Sequence, residues 1–414
     1  MDAILLARTI NMSTEKKQIL VLTPIYPAPD IPQTDTPVVH YFVREWVKMG
    51  YNVRVVHYVA NFPRILYLFA KPFKEMIGAK AGFGIRTVPY NDCEYVIDGV
   101  PVKRIGIFKL CPHVLHPRRS VNKAISKTIQ YCESSKFHPD VVIGHWPNPQ
   151  LEIMKALKSY FNCKSCFVSH GDSVVKLYKE RSLDLINDID IIGFRGEQVK
   201  KDFFNEIKIN KPYFFCYSGV PESYLIKDAH KDLYNIKDFI YVGTLIKRKY
   251  TAQIVAGLAK AFGKEDFLMR YVGSGAEQSN IESSIIENHV EGNVELLGRL
   301  ERSDVKKIIE GSQVFIMISK GESFGFVYLE AMATGCITIA SRNEGFDGII
   351  KDGENGFLCK AGDAEELASI IRKIRLMSVE ELQQISRNAI ATAESLTDVK
   401  AAKIYIDSVE NVIN

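Results

Sequence analysis

No run of about 18 consecutive apolar residues occurs in the 414-residue chain, which argues against an ordinary membrane-spanning helix. Residues 1–12 carry only a short apolar patch at 3–7, without the flanks or cleavage site of a secretory signal, and 1–15 reads as a flexible leader. Formal net charge is +4, too small to mark a nucleic-acid binder by composition. Of eight cysteines, only Cys163 and Cys166 form a C-x-x-C. With neither a second pair nor a histidine pair at finger spacing, no zinc module is read. The spacing is not that of a disulfide framework, which fits a reducing cytoplasm. Internal repeats and low-complexity tracts are also missing.

What is present is a soluble globular composition, 46% hydrophobic and 25% charged, with length for two domains. β-rich runs at 18–23, 52–58, 140–144, 165–169, 189–193 and 213–217 alternate with helical runs, beginning with 37–48. Such alternation predicts an α/β domain with a parallel, doubly wound sheet. A polar stretch at 222–238 reads as a linker. A second series follows, with strands at 239–242, 267–272, 293–297, 314–318 and 337–340 and a helix at 252–262. The expected division is 16–225, 226–397 and an amphipathic helix over 398–414. A cleft between two such domains is a common ligand site.

The most informative stretch is Gly321-Glu322-Ser323-Phe324-Gly325-Phe326-Val327-Tyr328-Leu329-Glu330. The spacing places Glu322 in a strand-to-helix loop and Glu330 one to two turns into the helix. Free amides at such a helix start hold phosphate, and flanking carboxylates suit sugar hydroxyls. The pattern asks for a ligand carrying both.

This stretch, continued by Cys336-Ile337-Thr338-Ile339-Ala340-Ser341 and Gly353-Glu354-Asn355-Gly356-Phe357-Leu358, resembles the donor site of the retaining glycosyltransferases of family 4. The resemblance implies the GT-B fold, two Rossmann-like domains facing across a cleft, with the terminal helix returning to the first domain. It assigns the donor sugar to Glu322, the nucleotide ribose to Glu330, and the diphosphate to the amides of Ser323, Phe324, Gly325 and Phe326.

Four further motifs carry the likeness. Val242-Gly243-Thr244, with Arg248 and Lys249 beyond, ends a strand in a glycine that admits phosphate, then supplies cations. Thr244 stands where the family usually has arginine, and Arg248 and Lys247 are the candidate replacements. Gly273-Ser274-Gly275 lacks the third glycine of a dinucleotide fingerprint, because position 278 is Gln278. Backbone around Leu300 is expected to face the base. His170, in Ser169-His170-Gly171-Asp172, matches a histidine that contacts the donor sugar. On the acceptor side the candidates are Thr36, His145 and Asp172, although the family's adjacent glycines near Thr36 are missing.

Asp188-Ile189-Asp190 resembles the metal motif of a different glycosyltransferase fold but opens an apolar strand, so no metal and no cofactor are expected beyond the nucleotide-sugar co-substrate. Residues 61–127 hold twelve Lys/Arg against four Asp/Glu, with aromatics at 62–73. This segment suits an anionic membrane face, or else a lid or core helix with solvated lysines. The expectation is a cytoplasmic, metal-independent enzyme with peripheral membrane contact. It moves a hexosyl group, with retention, from a nucleotide-diphosphate sugar to a sugar or lipid-linked sugar acceptor in surface polysaccharide or glycolipid assembly. Competing readings are a catalytically silent nucleotide-sugar sensor or scaffold, a nucleotide-sugar epimerase and a sugar phosphorylase. An NAD oxidoreductase fits least.

Overall fold

The computed structural model describes residues 17–31, 37–70, 88–112, 114–226 and 231–413. The leader 1–15, Thr36 and part of the expected linker lie outside them.

The first sheet contains β1 (Gln18–Thr23), β2 (Asn52–Asn61), β3 (Cys93–Ile97), β4 (Val100–Phe108), β5 (Val141–His145), β6 (Lys164–Ser169), β7 (Ile191–Phe194) and β8 (Tyr213–Phe215). Their order is β3-β4-β2-β1-β5-β6-β7-β8. In β1, Leu20 and Leu22 enter one core while Ile19 and Val21 enter another. A strand buried on both faces must be apolar throughout, which is why 18–23 reads as a continuous run rather than an alternation. All pairings are parallel except β3 with β4, an antiparallel hairpin turned by Asp98 and Gly99. The alternation of strands and helices did not reveal this hairpin, since β3 is a half-exposed edge strand with no apolar run.

The second sheet contains β9 (Asp238–Val242), β10 (Leu268–Val272), β11 (Val294–Gly298), β12 (Val314–Ile316), β13 (Ile337–Ser341) and β14 (Phe357–Cys359), ordered β11-β10-β9-β12-β13-β14 and parallel throughout. Each sheet has a switch point where its winding reverses, between β1 and β5 in the first and between β9 and β12 in the second. Ligands of open α/β sheets bind at the carboxyl ends of strands beside such points.

The helix Asp398–Ile413 crosses back onto the first sheet. Its Ala402, Tyr405, Ile406 and Val409 are buried there. Tyr405 packs edge-on to Phe42 and Trp46, and Trp46 Nε1 donates to the Ala402 carbonyl at 2.8 Å. Each such large side chain contributes about 2 kcal/mol through burial. The two crossings between domains run side by side. Val220 N donates to Leu396 O at 2.9 Å, and Asp398 N to Val220 O at 3.0 Å. Gly219 permits this approach, since a Cβ there would stand 2.4 Å from the Asp398 Cα.

Candidate functional site

At the second switch point, the loop after β9 meets the loop after β12. Gly243 ends β9 with φ +154°, and Gly273 ends β10 with φ +141°. A Cβ on Gly273 would lie 2.0 Å from Gly243 O, and one on Gly275 2.2 Å from Leu245 O. The G-x-G therefore lets two loops pack main chain to main chain. Thr244 is exposed, and its carbonyl accepts from the Tyr241 hydroxyl at 3.1 Å. Leu300 is exposed beyond β11.

Lys249 and Arg248 converge on one carboxylate. Lys249 Nζ donates to Glu322 Oε2, and Arg248 Nη1 stands 3.5 Å from the same oxygen. Arg248 also donates to the carbonyls of Lys320 (3.3 Å) and Gly321 (3.2 Å). A cation thus stands at this loop although Thr244 supplies none. Burial pushes the Lys249 ammonium below its ordinary pKa; Glu322 opposes that shift, and Arg248 adds to it.

The loop is held from behind by Glu344 and Gly345. Glu344 Oε2 accepts from Glu322 N at 3.0 Å, and Gly345 N donates to Glu322 O at 2.7 Å. A Cβ on Gly345 would fall 2.4 Å from Glu322 O and 2.5 Å from Phe324 N. Gly325, at φ +85°, leaves no room for a Cβ beside the Tyr328 ring. Among the described residues, no group accepts from the amides of Ser323, Phe324, Gly325 or Phe326. These amides crown the start of the helix Phe326–Ala333, so positive partial charge collects there. The Phe324 ring is buried against Arg195, Tyr217 and Phe346.

Glu330 lies in the second turn, and its Oε1 accepts from Arg302 Nη2 at 2.7 Å. Arg302 Nη1 donates to the Tyr41 hydroxyl of the first domain at 3.0 Å. Tyr41 in turn packs edge-on to Phe326.

In the first domain, His145 ends β5 and His170 follows β6. His145 Nδ1 and His170 Nε2 lie 3.0 Å apart and share one proton, while His145 Nε2 is 3.3 Å from the Tyr405 hydroxyl. Trp146 stacks on His170 at 3.7 Å. Burial, reinforced by Arg195, pushes His145 down to about 3. Burial, then His145 and Arg195, pushes His170 well below its ordinary value. Both imidazoles are neutral at pH 7. Asp172 is exposed in the following loop.

The structure thus joins Gly243, Arg248, Lys249, Glu322 and the 323–326 amides, places His145 with His170, and gives Glu330 a partner. Arg302, Glu344 and Tyr405 escaped sequence reading because each reaches the site from a distant segment without a local motif, and Trp146, although next to His145, because its stacking on His170 depends on the pairing of two strands. The Asp-x-Asp is structural. Asp190 accepts from Ser165 N (2.8 Å) and Oγ (2.9 Å) and pairs with Lys158, while Asp188 pairs with Lys155. Among the described residues, no three His, Cys, Asp or Glu side chains are arranged to hold a metal ion.

The two doubly wound domains, one opening a helix with free amides and the other carrying the histidine pair, make an architecture that solved structures share. Sucrose-phosphate synthase from Thermosynechococcus elongatus superposes over 95% of this chain and 98% of its own, with TM-score 0.66 and 17% identity. Anabaena HepE in complex with UDP superposes over 95% and 100%, with TM-score 0.68 and 15% identity. The fold is GT-B. In sequence, the family model described as glycosyl transferases group 1 matches residues 227–392. An uncharacterized glycosyltransferase of Methanocaldococcus jannaschii is 30% identical over 59% of this chain and 67% of its own. The N-acetyl-alpha-D-glucosaminyl L-malate synthase of Bacillus anthracis is 28% identical over 52% of this chain, and the match spans 58% of that relative's length. The chain belongs to the group 1 glycosyl transferases. Among the described residues, no helix is long and apolar enough to cross a membrane.

Proposed function

We propose that the chain transfers a hexosyl group, with retention of anomeric configuration, from a nucleotide-diphosphate sugar to an acceptor hydroxyl. The observation that carries this reading is the set of unpartnered amides at 323–326, beside Lys249, Arg248 and Glu322 at a sheet switch point.

Cleaving the anomeric bond leaves positive charge on the sugar and negative charge on the diphosphate. The amides, the helix start and the two cations are fixed donors for the departing diphosphate and need no reorganisation as charge develops. In the resting state Lys249 and Arg248 rest on Glu322. An arriving diphosphate competes for them and frees the carboxylate for sugar hydroxyls. Glu330 keeps its second oxygen for the ribose hydroxyls. Neutral His170, fixed by Trp146 and His145, steadies the sugar from the first domain. The acceptor attacks from the leaving-group face, and a phosphate oxygen takes its proton, so no metal and no cofactor is invoked. The acceptor is a free or lipid-linked sugar, and the setting is polysaccharide or glycolipid assembly. In support, relatives include an alpha-monoglucosyldiacylglycerol synthase of Acholeplasma laidlawii.

The test is a donor screen that measures nucleoside diphosphate release with free and lipid-linked acceptors, followed by NMR of the product anomer. Acceptor-dependent release with a retained anomer is expected. An inverted anomer overturns the mechanism. Donor turnover without acceptor indicates an epimerase, and binding without turnover a silent sensor.

A further inference from the structure

A cation lies buried where the two domains meet, without a counter-charge. Arg195 follows β7, just as His145 ends β5 and His170 follows β6, and β5, β6 and β7 are successive neighbours. The three residues therefore stand in a row along the carboxyl edge of the first sheet. Both imidazoles are neutral, so Arg195 is the charged member of the row. Its guanidinium donates to Cys216 O and Ser218 Oγ, two neutral acceptors on the chain that leaves for the second domain. Among the described residues no Asp or Glu pairs with it. Burial pushes its pKa below the ordinary value, and what opposes that shift is Cys216 and Tyr405, not a carboxylate. A guanidinium nevertheless keeps its proton in a protein.

The same segment leans on the loop that carries the free amides. The guanidinium lies 5.1 Å from the centre of the Phe324 ring and 5.8 Å from that of Phe42. The next residue, Gly196, packs on the loop's main chain, since a Cβ there would stand 2.8 Å from Gly345 O and 3.4 Å from Ser323 O. Arg195 thus touches the side chain of a residue whose amide is one of the four unpartnered donors. A buried charge without a partner destabilises the empty site. The remaining charges leave room for an anion. Arg302 holds Glu330, Lys320 acts on Glu344, and Lys249 with Arg248 outweighs Glu322 by a single positive charge. A pyrophosphate link carries more negative charge than that.

We propose that Arg195 is a positioning residue for the nucleotide diphosphate: it braces the Phe324 loop and supplies, from the first domain, the positive charge that the pyrophosphate still requires. The inference rests on the glycosyl-transfer reading, which provides the diphosphate. Charges in a poorly solvated seam are screened little, so the guanidinium acts across the Phe324 side chain without touching the ligand. Its effect grows as the bond to the sugar breaks and charge builds on the departing diphosphate. Because Arg195 and the amides belong to different domains, the full field forms only where the two are docked.

The test is titration calorimetry of the full chain with UDP, GDP, ADP and dTDP, and with the monophosphate of the base that binds best. Arg195→Gln keeps an N–H donor but removes the charge. Arg195→Lys keeps the charge. Ser218→Asp keeps the arginine and gives it a carboxylate. Arg195→Gln and Ser218→Asp should each weaken the diphosphate about tenfold and the monophosphate about threefold or less, while Arg195→Lys stays within about threefold of wild type. In turnover, Arg195→Gln should lower kcat as well as raise the donor KM. The melting temperature of Ser218→Asp should equal or exceed that of the wild type, because the buried cation gains a partner, so its weaker binding does not come from lost fold. Equal losses for diphosphate and monophosphate, a loss in Arg195→Lys as large as in Arg195→Gln, or wild-type affinity in Ser218→Asp overturns the proposal and leaves Arg195 a part of the scaffold. Each of these results requires wild-type binding and so leaves the glycosyl-transfer reading standing. Wild-type protein that binds none of the four nucleoside diphosphates overturns that reading and this proposal with it.

Discussion

Arg302 holds Glu330 at 2.7 Å and, with its other amino group, the Tyr41 hydroxyl at 3.0 Å. Burial works against the Arg302 charge, but Glu330 and Tyr41 more than offset it and raise the guanidinium pKa above its ordinary value. The carboxylate assigned to the ribose is therefore aimed by a residue that is itself braced from the opposite domain. Glu330→Ala should raise the donor KM about tenfold or more with a smaller change in kcat. Arg302→Ala should raise it less, and Tyr41→Phe less again, because the latter removes only the brace. Calorimetry on the nucleoside diphosphate alone checks the order. Unchanged affinity in Tyr41→Phe would show that the first domain does not position this carboxylate.

Lys249 and Glu322 form the site's most enclosed ion pair, both side chains being about nine-tenths buried. Removing one partner strands the other charge in a poorly solvated place. Lys249→Met should therefore destabilise the fold by about 3 kcal/mol, as should Glu322→Leu, while the double variant should lose less than the sum. Denaturant unfolding provides the measurement. In kinetics, both single variants should lower kcat at least about a hundredfold, the scale seen when a preorganised charge-stabilising group is lost.

Gly345→Ala separates loop geometry from side-chain chemistry. Its methyl would press on the main chain of Glu322 and Phe324 from behind, so the 322–326 amides must shift. Donor affinity should drop severalfold or more while the circular dichroism of the two sheets is retained. Wild-type donor affinity would show that those amides do not contact the ligand.

Acid should weaken the fold through its buried histidines. His57 and His116 are pushed down to about 4 and His145 to about 3, burial being the largest cause in each. In the unfolded chain they titrate near 6.5, so below that pH the unfolded state binds more protons and stability falls as pH drops toward 4. The melting temperature should decrease between pH 7.5 and pH 5, and His57→Gln should flatten part of that slope. A melting temperature independent of pH over this range would contradict the buried, neutral assignment.

The second domain was the more legible half. Its strands are short, apolar and followed by glycine turns, and the glutamate pair sits in one continuous stretch. The hairpin Cys93–Ile97 and Val100–Phe108 was hidden because Val96 is exposed and β3 alternates at a sheet edge. Arg302 was hidden for another reason: its contacts to Glu330 and Tyr41 span 28 and 261 residues, and an arginine at a helix start is ordinarily solvated. From sequence, His145 reads only as an acceptor-side candidate. Its bond to His170 and its contact with Tyr405, 260 residues away, depend on the terminal helix closing onto the first sheet.

The measurement closest to the central claim is titration calorimetry of the folded chain against UDP-, GDP-, ADP- and dTDP-linked sugars, repeated with Glu330→Ala. The account predicts that at least one of these donors binds the wild type with micromolar affinity and binds the variant about tenfold more weakly. Absence of binding heat for every donor, from protein whose melting transition is intact, would contradict it.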